Sequence, residues 1–144
     1  MDDAYKLERF IRAQALVYEQ VAAELHAGCK RSHWMWFIFP QLAGLGRSAM
    51  ALQYGIGSLD EARAYLGHAL LGERLRQCCA LALAVQGRRA LEVFGAPDDV
   101  KFRSSLTLFA AAAPGEALFQ QCLDQYFAGA PDSATLALIA TGFA

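Results

Sequence analysis

The stretch GCKRSHWMWFIFPQLAGLGRS, Gly28 to Ser48, gathers three cations, a histidine, two tryptophans and three glycines in one short segment. Ammonium and guanidinium groups read anions through charge-assisted hydrogen bonds, and an indole face stacks on a flat ring or a cation. Lys30 and Arg47 are therefore candidate charge partners for a ligand, and Trp34 and Trp36 are candidate walls. His33 is the candidate catalytic residue, because an imidazole gives and takes protons near neutral pH. Gln41 adds an amide that both donates and accepts. A second polar segment lies far along the chain. In PDDVKFRSSLTLF, Phe102, Leu106 and Phe109 share one helical face, with Lys101, Ser104 and Ser105 expected along its edge. Lys101 suits a phosphate or a carboxylate, or else pairs with Asp98 three residues earlier.

Gly44 to Ala49, GLGRSA, fits the G-x-G-x-x-G/A dinucleotide pattern, whose glycines let backbone amides approach a pyrophosphate. That mechanism requires a strand before it inside a βαβ unit, and no series of strands is read here. A loop of Gly44, Gly46 and Ser48 with Arg47 can still hold an anionic group, or serve only as a tight packing turn. No G-x-S-x-G elbow is present. Cys29 and His33 have an i,i+4 spacing, but His26 and His68 complete no recognisable ligand set, so neither a metal nor a cofactor is expected.

The elements that must position these residues read as helices. Leu7, Phe10, Ile11, Val17, Tyr18, Val21 and Leu25 recur near the 3.6-residue period, predicting one long helix over 3–27. Asp2 and Asp3 suit its N-terminal dipole, Gly28 its left-handed end, and His26, Lys30 and Arg31 its C-terminal charge. HWMWFIF reads either as a short helix or as a strand. Extended, it turns both indoles to one side; helical, it sets them about 200° apart. Ser58 with Glu61 forms a capping-box pattern for a helix at 59–66, and further helices are expected at 69–87, 88–94, 99–112, 115–128 and 133–141. Asp98 and Asp132 are the expected N-caps of the last long helix pairs. The fold expected is an all-α, mainly helical, compact single-domain bundle over 1–144, with six to eight helices and an irregular insert around residues 29–57.

Of the 144 residues, 56% are hydrophobic and 19% charged, which excludes disorder, and a net charge of −1 makes nucleic acid an improbable partner. Apolar runs such as MWFIF fall well short of the roughly 20 residues that span a bilayer. The polar opening MDDAYKLERF carries no signal-peptide pattern, and the four cysteines lack CxxC spacing. A cytoplasmic protein with packing cysteines is expected, with a homodimer as a further expectation because so much of the chain is apolar.

GxKxSHWMWFIFPQLxGLGxS, YGIxSLxEAxAYL, LLGxRL, FGxPDDxKxxSSxTLF and LDxYFxGxxDxxTL, as they stand in this chain, together resemble the bacterial family catalogued as domain of unknown function 1810 over nearly the full length. The resemblance implies a compact, mainly helical fold and no established activity, and it supplies no catalytic residues. Leu106 stands where the family pattern leads one to expect methionine.

Two functional readings follow from the residues. The first is a pocket between 28–48 and 97–107 for a small anionic, nucleotide-like metabolite, with binding or processing both left open. The second is a non-catalytic interaction or dimerisation protein that uses the aromatic segment 33–39 as its interface.

Overall fold

Short helices with a single apolar stripe must bury that stripe against one another, and ten of them do so here. The computed structural model describes residues 3–142. Its helices are α1 (Glu8–Ala15), α2 (Tyr18–Ala27), α3 (Met35–Ile38), α4 (Ala49–Tyr54), α5 (Leu59–Gly67), α6 (Ala69–Ala84), α7 (Ala90–Phe94), α8 (Asp98–Ala112), α9 (Ala117–Phe127) and α10 (Ser133–Ala140). Among the described residues there is no sheet; Leu42 and Ile56 form one isolated parallel bridge. The domain is all-α, as the periodicity predicts, and it leaves the dinucleotide pattern at Gly44–Ala49 without the strands its mechanism needs.

The central element is α8, which packs against α5, α7, α9 and α10, while α6 packs against α2, α5 and α9. Phe102, Leu106 and Phe109 are buried, as their shared face predicts. Each such side chain removed from water contributes about 1.5–3 kcal/mol before entropy is counted. Phe39 meets Phe102 edge-on with centroids 4.8 Å apart, and Phe94 lies 4.4 Å from Phe102. This aromatic cluster carries the end of the 28–48 segment onto the first turns of α8. Two polar segments remote in sequence are neighbours for that reason.

Several local expectations are revised. The helix expected over 3–27 is two helices, broken at Leu16 and Val17, with Leu16 94% exposed at the corner. The break lets α1 and α2 bury Phe10 and Val21 along different directions. Asp3 caps the entry, accepting from the amides of Leu7 at 2.7 Å and Glu8 at 2.9 Å; Asp2 lies outside the described residues. Asp98 is not an N-cap: Pro97 holds that position, and the Asp98 carboxylate points to lysines instead. The long helix after His68 ends at Ala84, three residues early, and α7 begins at Ala90. The insert at 29–57 contains two short helices, α3 and α4. HWMWFIF thus takes its helical alternative, and Phe39 leaves it with φ −122° and ψ 73° ahead of Pro40.

Other expectations stand. Gly28 is left-handed at φ 72°, and Ser58 and Asp132 cap α5 and α10 by accepting from Glu61 N–H and Thr135 N–H, both at 3.0 Å. His68 caps α6 through Nδ1, which accepts from the amides of Leu70 and Leu71. The four cysteines are free thiols, with Cys78, Cys79 and Cys122 fully buried. Burial pushes the Cys78 thiol up to about 12 and Cys79 well above its ordinary value, which suits packing and not nucleophilic chemistry.

Candidate functional site

The loop that carries the lysines and tryptophans is built around one buried carboxylate. Glu24, near the end of α2, is 4% exposed. Its Oε1 accepts from Arg31 N–H at 2.7 Å, Ser32 N–H at 3.0 Å and the Trp34 indole N–H at 2.9 Å. Its Oε2 accepts from the Ser32 hydroxyl at 2.5 Å and from Gln20 Nε2 at 2.8 Å. Burial alone would push this carboxyl up. The hydrogen bonds from Ser32, Arg31, Gln20 and Trp34 outweigh it and hold the group down at about 2. Gly28 ends α2 with its amide on Leu25 O while Cys29 N–H reaches Glu24 O, and this reversal folds residues 30–34 back over the carboxylate.

From this hub a line of alternating rings and charges runs to α8. Lys30 Nζ sits 5.0 Å from the Trp34 ring centroid, 2.8 Å from Asp98 Oδ2, and donates to Ser32 O. Asp98 Oδ1 lies 3.8 Å from Lys101 Nζ, which in turn lies 4.8 Å over the Trp36 ring. The Lys30 side chain is 6% exposed and fully engaged, whereas Lys101 is 23% exposed and only loosely paired. Helical geometry at α3 turns the two tryptophans apart. Trp34 is interior, and Trp36 lines a cleft.

That cleft encloses about 230 Å³ and is lined by Met35, Trp36, Phe39, Gln41, Tyr54 and Lys101, with Ala51 and Gly55 at its far side. Trp36 Nε1 is buried there without a hydrogen-bond partner among the described residues. The far wall, α4, is clamped from behind by Arg9, which donates to Gln53 O at 2.8 Å, to Gly55 O at 3.0 Å and to Glu61 Oε2 at 3.0 Å. Gln41 is fixed through its backbone, its carbonyl accepting from Ile56 N–H at 2.9 Å. Gly46 lets the loop close over it: a Cβ there would stand 2.8 Å from Ala51 Cβ and 3.5 Å from Gln41 Nε2.

Trp36, Gln41 and Lys101 are thus brought together, with Lys30 and Trp34 immediately behind them. His33 is exposed and does not line the cleft. Gly44, Arg47 and Ser48 are exposed on the adjoining loop, and the Ser48 hydroxyl caps α4 by accepting from Ala51 N–H at 3.1 Å. Ser104 and Ser105 face inward and not along an exposed edge. Ser104 donates to Val100 O and Asp132 Oδ2, and Ser105 is fully buried with its hydroxyl unpartnered. The aromatic segment 33–39 is not a surface: Trp34, Met35, Phe37, Ile38 and Phe39 are all buried, so the interface reading of that segment is withdrawn. Among the described residues no three potential ligands cluster to hold a metal ion, and no helix is long and apolar enough to cross a membrane.

Glu24, Gln14 and Arg9 escaped sequence reasoning. Gln14 holds α3 in place by donating to Phe37 O at 2.7 Å and to the Tyr65 hydroxyl at 3.0 Å. A polar residue in the middle of an otherwise buried helical stripe is the signal that marks both Gln14 and Glu24.

Residues 4–139 match the family described as "Protein of unknown function (DUF1810)". Among solved structures, the conserved hypothetical protein Rv1873 from Mycobacterium tuberculosis is similar to this chain, with 54% identity, a TM-score of 0.95, and coverage of 96% of this chain and 99% of that one. No curated protein matches. The match along nearly the whole sequence and the shared helical fold agree with the motifs read at 28–48 and 94–109: the chain belongs to the DUF1810 family.

Proposed function

We propose that this protein binds a small anionic metabolite carrying a flat ring, in the cleft between residues 28–48 and the start of α8. The observation that carries the reading is the Lys101 ammonium poised 4.8 Å over Trp36, whose own indole N–H lacks a partner. A buried donor without a partner costs about 1–3 kcal/mol, so a group that accepts from it gains by arriving. Lys101 supplies charge, Gln41 supplies an amide, and Met35, Phe39 and Tyr54 supply apolar walls. Arg47 and Ser48, on the exposed loop beside the cleft, fit a ligand whose anionic end reaches outward, as a nucleotide's phosphate does. Lys30 supports the site indirectly, since it holds Asp98 and leaves Lys101 the cation available to a ligand. His33 has no partner to orient it, and the reading is one of binding. Four free thiols suit a reducing compartment, which fits a cytoplasmic protein.

Tryptophan fluorescence tests this directly. Ring-bearing anions such as AMP and benzoate are the panel. At least one is expected to change the emission saturably, less so as salt rises, and Trp36→Phe is expected to abolish the change. Lys101→Ala should weaken that binding by about 1–3 kcal/mol while leaving the fold intact, because the side chain lies at the cleft mouth. No response to any panel member at millimolar concentration would refute the reading.

A further inference from the structure

On the basis of the cleft proposed above, we infer that its ligand is a small aromatic monocarboxylate and not a nucleotide. Charge is the first reason. Asp98 stands 2.8 Å from Lys30 and 3.8 Å from Lys101, so Lys30 already neutralises it and Lys101 leaves one positive charge at the cleft. Asp99 and Arg47 do not line it. A nucleoside diphosphate brings two or more negative charges and calls for further cations or a ring of backbone amides, which this lining lacks.

Size is the second reason. The 230 Å³ enclosed here is below the roughly 300–1,000 Å³ of pockets that take drug-sized ligands. One ring with one acidic substituent is the scale that fits, leaving a ribose and phosphate outside. The walls suit a ring, since the Trp36 face, Phe39, Tyr54 and Met35 are all apolar or aromatic.

The donors are the third reason. A carboxylate offers two oxygens in one plane with about four acceptor positions and needs few donors to be satisfied. Lys101 Nζ, Gln41 Nε2 and Trp36 Nε1–H are three donors belonging to three cleft residues, and the Trp36 group is the one that is buried without a partner.

Calorimetric titration of the full chain with benzoate, benzamide, AMP and inorganic phosphate at matched ionic strength tests this. Benzoate is expected to bind at one site, with benzamide, AMP and phosphate each at least about tenfold weaker. Lys101→Gln should weaken benzoate by about tenfold or more and leave benzamide unchanged, whereas Lys101→Arg, keeping the charge, should retain most of the benzoate affinity. The arginine variant guards against misreading a folding defect as lost recognition. AMP or phosphate binding more tightly than benzoate would overturn the carboxylate inference while leaving the cleft reading intact. Benzamide matching benzoate would overturn the requirement for an anion. Failure of every probe at millimolar concentration would remove both.

Discussion

Glu24→Ala is expected to lose about 4 kcal/mol or more of stability, because it strips one buried carboxylate from five donors at once. Arg31 N–H, Ser32 N–H, the Ser32 hydroxyl, Gln20 Nε2 and Trp34 Nε1–H would all lose their acceptor, and Trp34 is almost fully buried. Glu24→Gln should lose less, since it keeps the shape but replaces one oxygen with a donor facing donors. The same carboxylate predicts a pH dependence. Its folded value of about 2 lies below the ordinary 4.5. The unfolded chain therefore takes up this proton first, and acid favours unfolding. The contribution, on the order of 3 kcal/mol, is complete above about pH 5 and fades as pH falls from about 4.5 to about 2. Glu24→Gln should lack that limb of the acid transition in a urea-stability series. Identical acid profiles for parent and variant would contradict the account of the loop.

Gly72→Ala should be nearly as damaging, against the usual helix preference. In an open helix this exchange gains close to 1 kcal/mol. Here the added Cβ would stand 2.1 Å from Leu66 O and 2.9 Å from the Leu66 carbonyl carbon, where α6 crosses the end of α5. Backbone cannot swing aside as a side chain does, so the helix pair must separate, at about 3 kcal/mol or more. Gly67→Ala is the matched control, because nothing lies within 4 Å of its Cβ position. Urea midpoints should fall sharply for Gly72→Ala and hold or rise for Gly67→Ala. Equal midpoints would show that the α5–α6 contact is looser than described.

What was legible in the sequence is what depends on near neighbours. Ser58 and Asp132 cap helices three residues away, and Gly28 turns a helix end, so local spacing reveals them. Asp98 misled because an acid before a helical stripe has the pattern of an N-cap, whereas its partner Lys30 lies 68 positions upstream. Arg9 reaches Gly55 and Glu61 across 46 and 52 residues, a reach no periodicity encodes. The break at Leu16–Val17 was hidden because the apolar positions on either side keep the same period through it. HWMWFIF was ambiguous for a different reason: an unbroken apolar run fits a buried helix or a strand equally. The cleft inherits that ambiguity, since only the helical form sends Trp34 inward to Glu24 and leaves Trp36 under Lys101.

Two tryptophans in the whole chain make the central claim open to a single spectrum. In a 1H–15N correlation spectrum, the indole N–H of Trp34, bound to Glu24 Oε1 at 2.9 Å, should be protected from exchange and insensitive to added ligand. The indole N–H of Trp36, assigned by its loss in Trp36→Phe, has no partner in the structure. Titration with benzoate should move the Trp36 resonance saturably and leave the Trp34 resonance in place, because only the Trp36 donor lies in the cleft. A shift confined to Trp34, or no shift at either indole while benzoate binds elsewhere, would contradict a ligand site at Trp36 and Lys101.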